Sequence, residues 1–285
     1  MMKTIGFIDY YLSEWHANNY PEWIRNASAE MGEDFEVKYA WAELDVSPLD
    51  GVSSDEWCKA NGVIKCDSVA ELCEKADYIL ILAPSDPDKH LAYAKEVLKY
   101  KKNTYIDKTF APDYDTAKRI FDIAKENGTP FFSSSALRYA TELSELGDAV
   151  SVITTGGGSN LDEYIIHQVE MAVKLMKGAK PLRVRVEAQG ASQRVCCVEF
   201  EGGKRATLIF APRYGFAVNV DDAEGNNTNK AISSNFFGGL ICDILRFYLS
   251  GVTSFDTKET LDVMKIREAI IKGKEKLGEW AEIVL

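Results

Sequence analysis

Tyr105-Ile-Asp-Lys-Thr-Phe-Ala-Pro112 is a short β-rich run that ends on a lone cation, Lys108, and a proline-containing loop. From Tyr114 to Glu126 the pattern turns helical, with Ala117, Ile120, Phe121 and Ala124 on one face. Asn127-Gly128 predicts its C-cap, and Thr129-Pro-Phe-Phe-Ser-Ser-Ser-Ala-Leu-Arg-Tyr139 opens on another buried strand. Strand, loop, helix, strand is the repeating unit of a parallel sheet. In open sheets of that kind, ligands bind outside the carboxyl ends of the strands. Lys108 stands at such an end, although spacing alone favours a solvated loop lysine.

Working outward, the segment before this run repeats the alternation. Lys3 to Ile8 and Phe35 to Trp41 read as buried strands, with a helix over Trp15 to Ala29 interrupted near Pro21. Ser54 predicts an N-cap for a helix to Asn61 that Gly62 ends, and Ser68 to Lys75 reads as a short helix. Ala76 to Ala83 is the clearest buried strand, and a helix from Asp86 to Tyr100 follows. After Tyr139 the character changes. A strand over Ala149 to Thr155, a glycine-rich turn and a helix over Asp162 to Met176 lead into four β-rich runs: Leu182–Gln189, Arg194–Phe200, Arg205–Phe210 and Phe216–Val220. Gly202-Gly203 is a hairpin signal, Asp221 to Asn229 reads as a polar loop, and two helices (Asn235 to Leu249, Lys258 to Leu277) close the chain. The expected fold is a doubly wound α/β domain over 1–132, followed over 133–285 by an α+β domain on an open antiparallel sheet.

Composition narrows the function classes. The 285 residues are 46% hydrophobic and 27% charged, which is ordinary for a globular chain. A net charge of −11 argues against nucleic acid or an anionic membrane as partner. The six cysteines form no Cys-x-x-Cys pair and there are three histidines, so no metal site is expected. Unpaired cysteines and the short apolar run Ile5 to Ile8 point to the cytoplasm, and no stretch approaches the ~20 apolar residues of a membrane span.

Ala83-Pro84 with His90, Tyr105-Ile-Asp107-Lys108-Thr109, and Ala117-Lys118 through Gly128-Thr-Pro together resemble the glucose–fructose oxidoreductase/inositol dehydrogenase/rhizopine-catabolism (Gfo/Idh/MocA) family. That family carries Glu-Lys-Pro where this chain has Asp107-Lys108-Thr109. The resemblance implies a Rossmann-type domain, NAD or NADP as cofactor, and a small-molecule substrate that is a sugar, polyol or related hydroxy compound. It places Gly6, Asp9, Tyr11, Trp41, Pro84, His90, Asp107 and Lys108 around the cofactor, and Lys108, Arg138 and His167 against substrate. Lys108 would stabilise developing alkoxide charge, His167 would act as base, and Glu163 would orient it. It also implies a homodimer or higher homo-oligomer that buries the run Leu182 to Val220.

Two departures bear on this. The dinucleotide fingerprint needs three glycines so that backbone can approach a pyrophosphate, but Asp9, Tyr11 and Glu14 occupy those positions. An ordinary strand-to-helix turn is the competing reading there, and a non-catalytic member that binds a small ligand or serves an assembly is the competing function. At the end of the second strand, Trp41 takes the place of the acid that would hold the ribose, with Glu43 and Asp45 just beyond. Seventeen residues separate Arg138 from Gly156, fewer than the family's several tens. Counting back four from His167 gives Glu163, while counting forward from Gly156-Gly-Gly gives Asp162; helix geometry favours Glu163. Ser135 reads either as part of the site or as a helix N-cap, and His90 either lines the cofactor crevice or serves its own helix.

Overall fold

The computed structural model describes residues 2–283; residues 1, 284 and 285 lie outside it. Contacts divide the chain into two compact units. One runs to Ser133 and takes back Leu240–Asp256; the other is Ser134–Gly239 with the chain from Thr257 onward.

In the first unit six parallel strands alternate with helices: β1 (Lys3–Asp9), α1 (Trp15–Glu30), β2 (Phe35–Ala42), α2 (Ser54–Asn61), β3 (Ile64–Lys65), α3 (Val69–Lys75), β4 (Tyr78–Ile81), α4 (His90–Val97), β5 (Thr104–Ile106), α5 (Tyr114–Asn127) and β6 (Phe131–Phe132). Their order is β3-β2-β1-β4-β5-β6, so the chain reverses its winding between β1 and β4. A crevice opens outside the carboxyl ends of those two strands in a sheet so wound. The core strands are buried on both sides: Ile5, Phe7, Ile8, Ile79, Leu80 and Ile81 are inaccessible. Each such side chain contributes about 1.5–3 kcal/mol over leaving it in water.

Local signals set the helix ends. The N-cap of α2 is Ser53 rather than the expected Ser54, because Ser53 and Glu56 form a reciprocal capping box, and Gly62 ends that helix in the left-handed conformation. Asp113 and Gly128 do the same work for α5. The break expected at Pro21 is absent, and α1 runs unbroken through it. Helix α8 (Phe236–Ser250) gives its residues from Leu240 to the first unit. The Tyr248 hydroxyl donates to the Ile79 carbonyl at 2.7 Å, and its ring stacks on Tyr78 at 4.7 Å.

The second unit holds α6 (Thr141–Ser144), β7 (Ala149–Gly156), α7 (Leu161–Met176), β8 (Pro181–Ala188), β9 (Arg194–Phe200), β10 (Arg205–Phe210), β11 (Ala217–Asp222), β12 (Asn227–Ala231), α9 (Lys258–Gly273) and β13 (Trp280–Glu282). The sheet order is β12-β11-β7-β10-β9-β8-β13. It is mixed rather than antiparallel throughout, because β10 pairs in parallel with β7. Helix α7 carries the chain away from β7, and the β8-β9-β10 meander brings it back beside β7 running the same way. The stretch 221–229, expected as a loop, instead holds the end of β11, a short turn and the start of β12, which pair as a hairpin. Its second strand shows no buried alternation, and the Asn219 and Asn227 amides pair across it, so hydrophobic periodicity could not reveal it.

Candidate functional site

In the first unit the expected cofactor end is built around carboxylates. Asp9, the last residue of β1, is 1% exposed, and its Oδ1 accepts from the backbone N–H of Tyr10 at 2.7 Å and of Ala83 at 2.9 Å. Its Oδ2 is buried without a hydrogen-bond partner among the described residues. Burial first, then the charge of Glu14, holds the Asp9 carboxyl well above the usual carboxylate range. Glu14 is the N-cap of α1, accepting from the N–H groups of His16 and Ala17. His16 Nδ1 lies 3.2 Å from Glu14 Oε2, and its Nε2 is 3.7 Å from Asp107 Oδ2, an ion-pair rather than a hydrogen-bond distance.

A helix N-terminus attracts an anion because its first N–H groups lack partners and the helix dipole is positive there. On α1 that anion is the chain's own Glu14 carboxylate. A dinucleotide diphosphate therefore does not fit this helix end as it stands: Glu14 fills the seat, and Asp9 adds an orphaned carboxyl oxygen beside it. Gly6 has a different use from the one expected. A Cβ there would stand 2.4 Å from Leu72 Cδ2, so β1 needs glycine to pack against α3. Near the end of β2, Trp41 packs edge-on against Tyr93. Glu43 takes Lys89 and the Tyr93 hydroxyl, and Asp45 takes Lys65.

The loop after β5 carries Lys108, half-buried, whose Nζ donates to the Pro84 carbonyl at 3.1 Å. The Lys108–Thr109 peptide is cis, and Thr109 is buried where the family has proline. His90 does not line a crevice. It is fully buried, with Nδ1 at 3.0 Å from the Phe110 carbonyl and Nε2 against the Leu82 carbonyl. Burial depresses its basicity, and a neutral ring donates to one of the two carbonyls at a time. The imidazole thereby ties the end of β4 to the loop that carries Lys108, which makes it a positioning residue.

In the second unit β7 turns through Gly156-Gly157-Gly158 into α7. A Cβ on Gly157 would stand 2.3 Å from the Ala211 carbonyl oxygen, so only glycine lets the turn pass. Asn160 caps α7 by accepting from the Glu163 N–H at 2.9 Å, and Glu163 Oε2 meets Asn160 Nδ2 at 3.3 Å. Asp162, the alternative carboxylate, is occupied by Lys274, and its carbonyl by Arg267. His167 is half-buried between the rings of Tyr164 and Phe216, and its Nδ1 sits 2.7 Å from Ser135 Oγ. Gln168 anchors the helix to β7 through Thr154 and the Gly156 carbonyl.

Arg138, expected to meet substrate, is 4% exposed and ion-paired to Glu170 and Glu259. Its guanidinium is neutralised inside the unit, and Glu170 also accepts the Ser135 N–H at 3.2 Å. Spacing could not expose this, because both carboxylates come from helices far along the chain. Ser135 serves both its readings, since the hydroxyl that meets His167 also accepts from Leu137 N–H as an N-cap. Thiol chemistry has no support from Cys73 and Cys196, where burial pushes the pKa up to about 12. Among the described residues no helix is long and apolar enough to cross a membrane.

Residues 48–135 match a family model described as "Oxidoreductase family, NAD-binding Rossmann fold". The matched stretch holds Lys108 and leaves out β1, α1 and the residues around Glu14. An uncharacterized oxidoreductase of Escherichia coli (strain K12), YhhX, is 34% identical over 91 residues, which cover 29% of this chain and about a quarter (26%) of that one. The solved structure of a probable dehydrogenase from Thermotoga maritima superposes with a TM-score of 0.78 at 14% identity, covering 98% of each chain. That of scyllo-inositol dehydrogenase from Lactobacillus casei, with bound NAD(H) and scyllo-inositol, gives 0.75 at 12% identity over 99% of each. At such identities the structures establish a shared fold. The sequence itself is similar to that oxidoreductase family over residues 48–135, about a third of the chain.

Proposed function

We propose that the protein is an NAD(P)-dependent oxidoreductase acting on a sugar, polyol or related hydroxy compound. The observation that carries this reading is Lys108. Its ammonium lies at the carboxyl end of the sheet, inside the stretch that matches the family, and among the described residues it places one N–H on the Pro84 carbonyl, so a ligand oxygen can take another. An ammonium so placed stabilises negative charge developing on a substrate hydroxyl. His167 exchanges the proton of that hydroxyl, and Glu163, one turn earlier on α7, orients it. The hydride partner that the resemblance implies is a nicotinamide dinucleotide, whose diphosphate would meet the Glu14 and Asp9 carboxylates at the α1 N-terminus and bind weakly there.

The Glu14 cap favours a second reading, a non-catalytic family member that binds a small ligand or serves an assembly. Titration with NAD(H) and NADP(H) separates the two. Low-micromolar binding supports the oxidoreductase. Absence of binding in wild type and in a variant with glycine at positions 9 and 14 removes it. The second sheet, covered on one face by α7 and α9, leaves Ile153 and Leu182 exposed at 39% and 36%. We propose a homo-oligomer that buries the run Leu182 to Val220; light scattering that finds a monomer at tens of micromolar counts against it.

A further inference from the structure

Ser135 Oγ is buried (1% exposed) and meets two groups among the described residues. Leu137 N–H donates to it at 3.3 Å, and His167 Nδ1 lies 2.7 Å away. A serine hydroxyl has one hydrogen to give and two lone pairs to offer. Leu137 takes one lone pair. If Nδ1 carried a proton and donated to the other, the hydroxyl hydrogen would be buried with no acceptor, at the full cost of desolvating a polar group. If the hydroxyl donates to Nδ1 instead, every group is satisfied. The serine is also fixed from behind, since its own N–H donates to Glu170, which is locked to Arg138.

We infer that Ser135 holds the neutral His167 ring with its proton on Nε2, so that His167 meets a ligand as a hydrogen-bond donor. The ligand group this suits is an oxygen with an available lone pair, such as a carbonyl or the lone-pair side of a hydroxyl. Nε2 can accept a proton only after the ring changes tautomer, and that requires the Ser135 hydroxyl to turn away from Nδ1. Ser135 is thus a positioning residue that acts through His167. The ligand side of this inference rests on His167 facing the substrate, as proposed above; the tautomer itself does not.

The test is long-range proton–nitrogen NMR of protein labelled at histidine nitrogen. With three histidines in the chain, His167 is assigned by the signals lost in His167→Gln. The expected wild-type result above neutral pH is a single tautomer with Nε2 protonated and Nδ1 bare. Ser135→Ala should lose that signature and give an exchanging mixture, while Ser135→Thr should restore it. Unchanged His16 and His90 signals show that a variant has folded. If Ser135→Ala does not fold, Ser135→Cys keeps the volume with a weaker donor and should show partial loss. Wild-type His167 protonated on Nδ1 overturns the inference, and so does a tautomer that the removal of the hydroxyl leaves unmoved. Titrating wild type and the variant with glycine at positions 9 and 14 with NADH keeps the two questions apart: no binding by either, beside the expected tautomer in wild type, would remove the oxidoreductase reading and leave the Ser135 assignment standing.

Discussion

Each unit buries a cluster of charge, and the two clusters are balanced differently. In the second unit Arg138 sits between Glu170 and Glu259, with the Lys174 ammonium on its carbonyl, so opposite signs meet inside the protein. In the first unit Glu14 and Asp107 flank His16 and their charges act on Asp9, with one carboxyl oxygen each of Asp9 and Asp107 lacking a hydrogen bond among the described residues. A balanced cluster tolerates burial because its partners replace water, and it reads as architecture. An under-neutralised one shifts the protonation of its members, as it does for Asp9, and that is where binding or chemistry is looked for.

The largest effect expected comes from unbalancing the balanced cluster. Arg138→Ala strands Glu170 without its partner and should cost about 3–5 kcal/mol of stability, the usual result of halving a buried pair. Chemical denaturation measures it. A loss below about 1 kcal/mol would mean that water reaches the cluster and the contrast is weaker than drawn. Lys108→Met is the opposite kind of change. It should leave stability nearly unchanged and lower kcat by about 10²–10³-fold once a substrate is found, as removal of a charge-stabilising donor does. A full loss of fold, or no loss of rate, would put Lys108 with the structural cations.

Smaller effects sharpen the acidic cluster. Wild type should bind dinucleotides in the high micromolar range or more weakly. Exchanging Asp9 and Glu14 for glycine should strengthen binding tenfold or more, since each carboxylate near a diphosphate costs roughly 1–4 kcal/mol at partly solvated separations. Tight wild-type binding would mean that the diphosphate bypasses the α1 N-terminus. Last, Asp9→Asn should raise the melting temperature by a few degrees at pH 8 and change it little near pH 4. A carboxyl whose folded pKa is raised binds its proton more tightly in the folded state, so stability falls as pH climbs from the unfolded value through the folded one. The amide removes that loss, and a melting-temperature gap that does not widen with pH would show that Asp9 is ionised without penalty.

The candidate residues divide the same way in how legible they were. Lys108 and His167 could be picked out because a cation at a strand end, and a carboxylate four residues before a histidine, are local patterns. Their partners could not be picked out. Ser135 reaches His167 from 32 residues away, and Arg138 meets Glu259 from 121 away. His90 looked like a crevice residue because its position in the chain says nothing of the two carbonyls around its ring.

The order of strands and helices in the first unit, the caps at Gly62 and Gly128, and the β-rich second half were determined by the sequence alone. Periodicity, capping and turn chemistry act over a few residues, and the chain obeys them locally. Tertiary structure alone decided that β10 runs parallel to β7, that residues 240–256 return to the first unit, and that Glu14 occupies its own helix's anion seat. Those outcomes depend on which distant groups share one dehydrated space, where an unmet hydrogen bond or an uncompensated charge costs free energy that no local pattern reports.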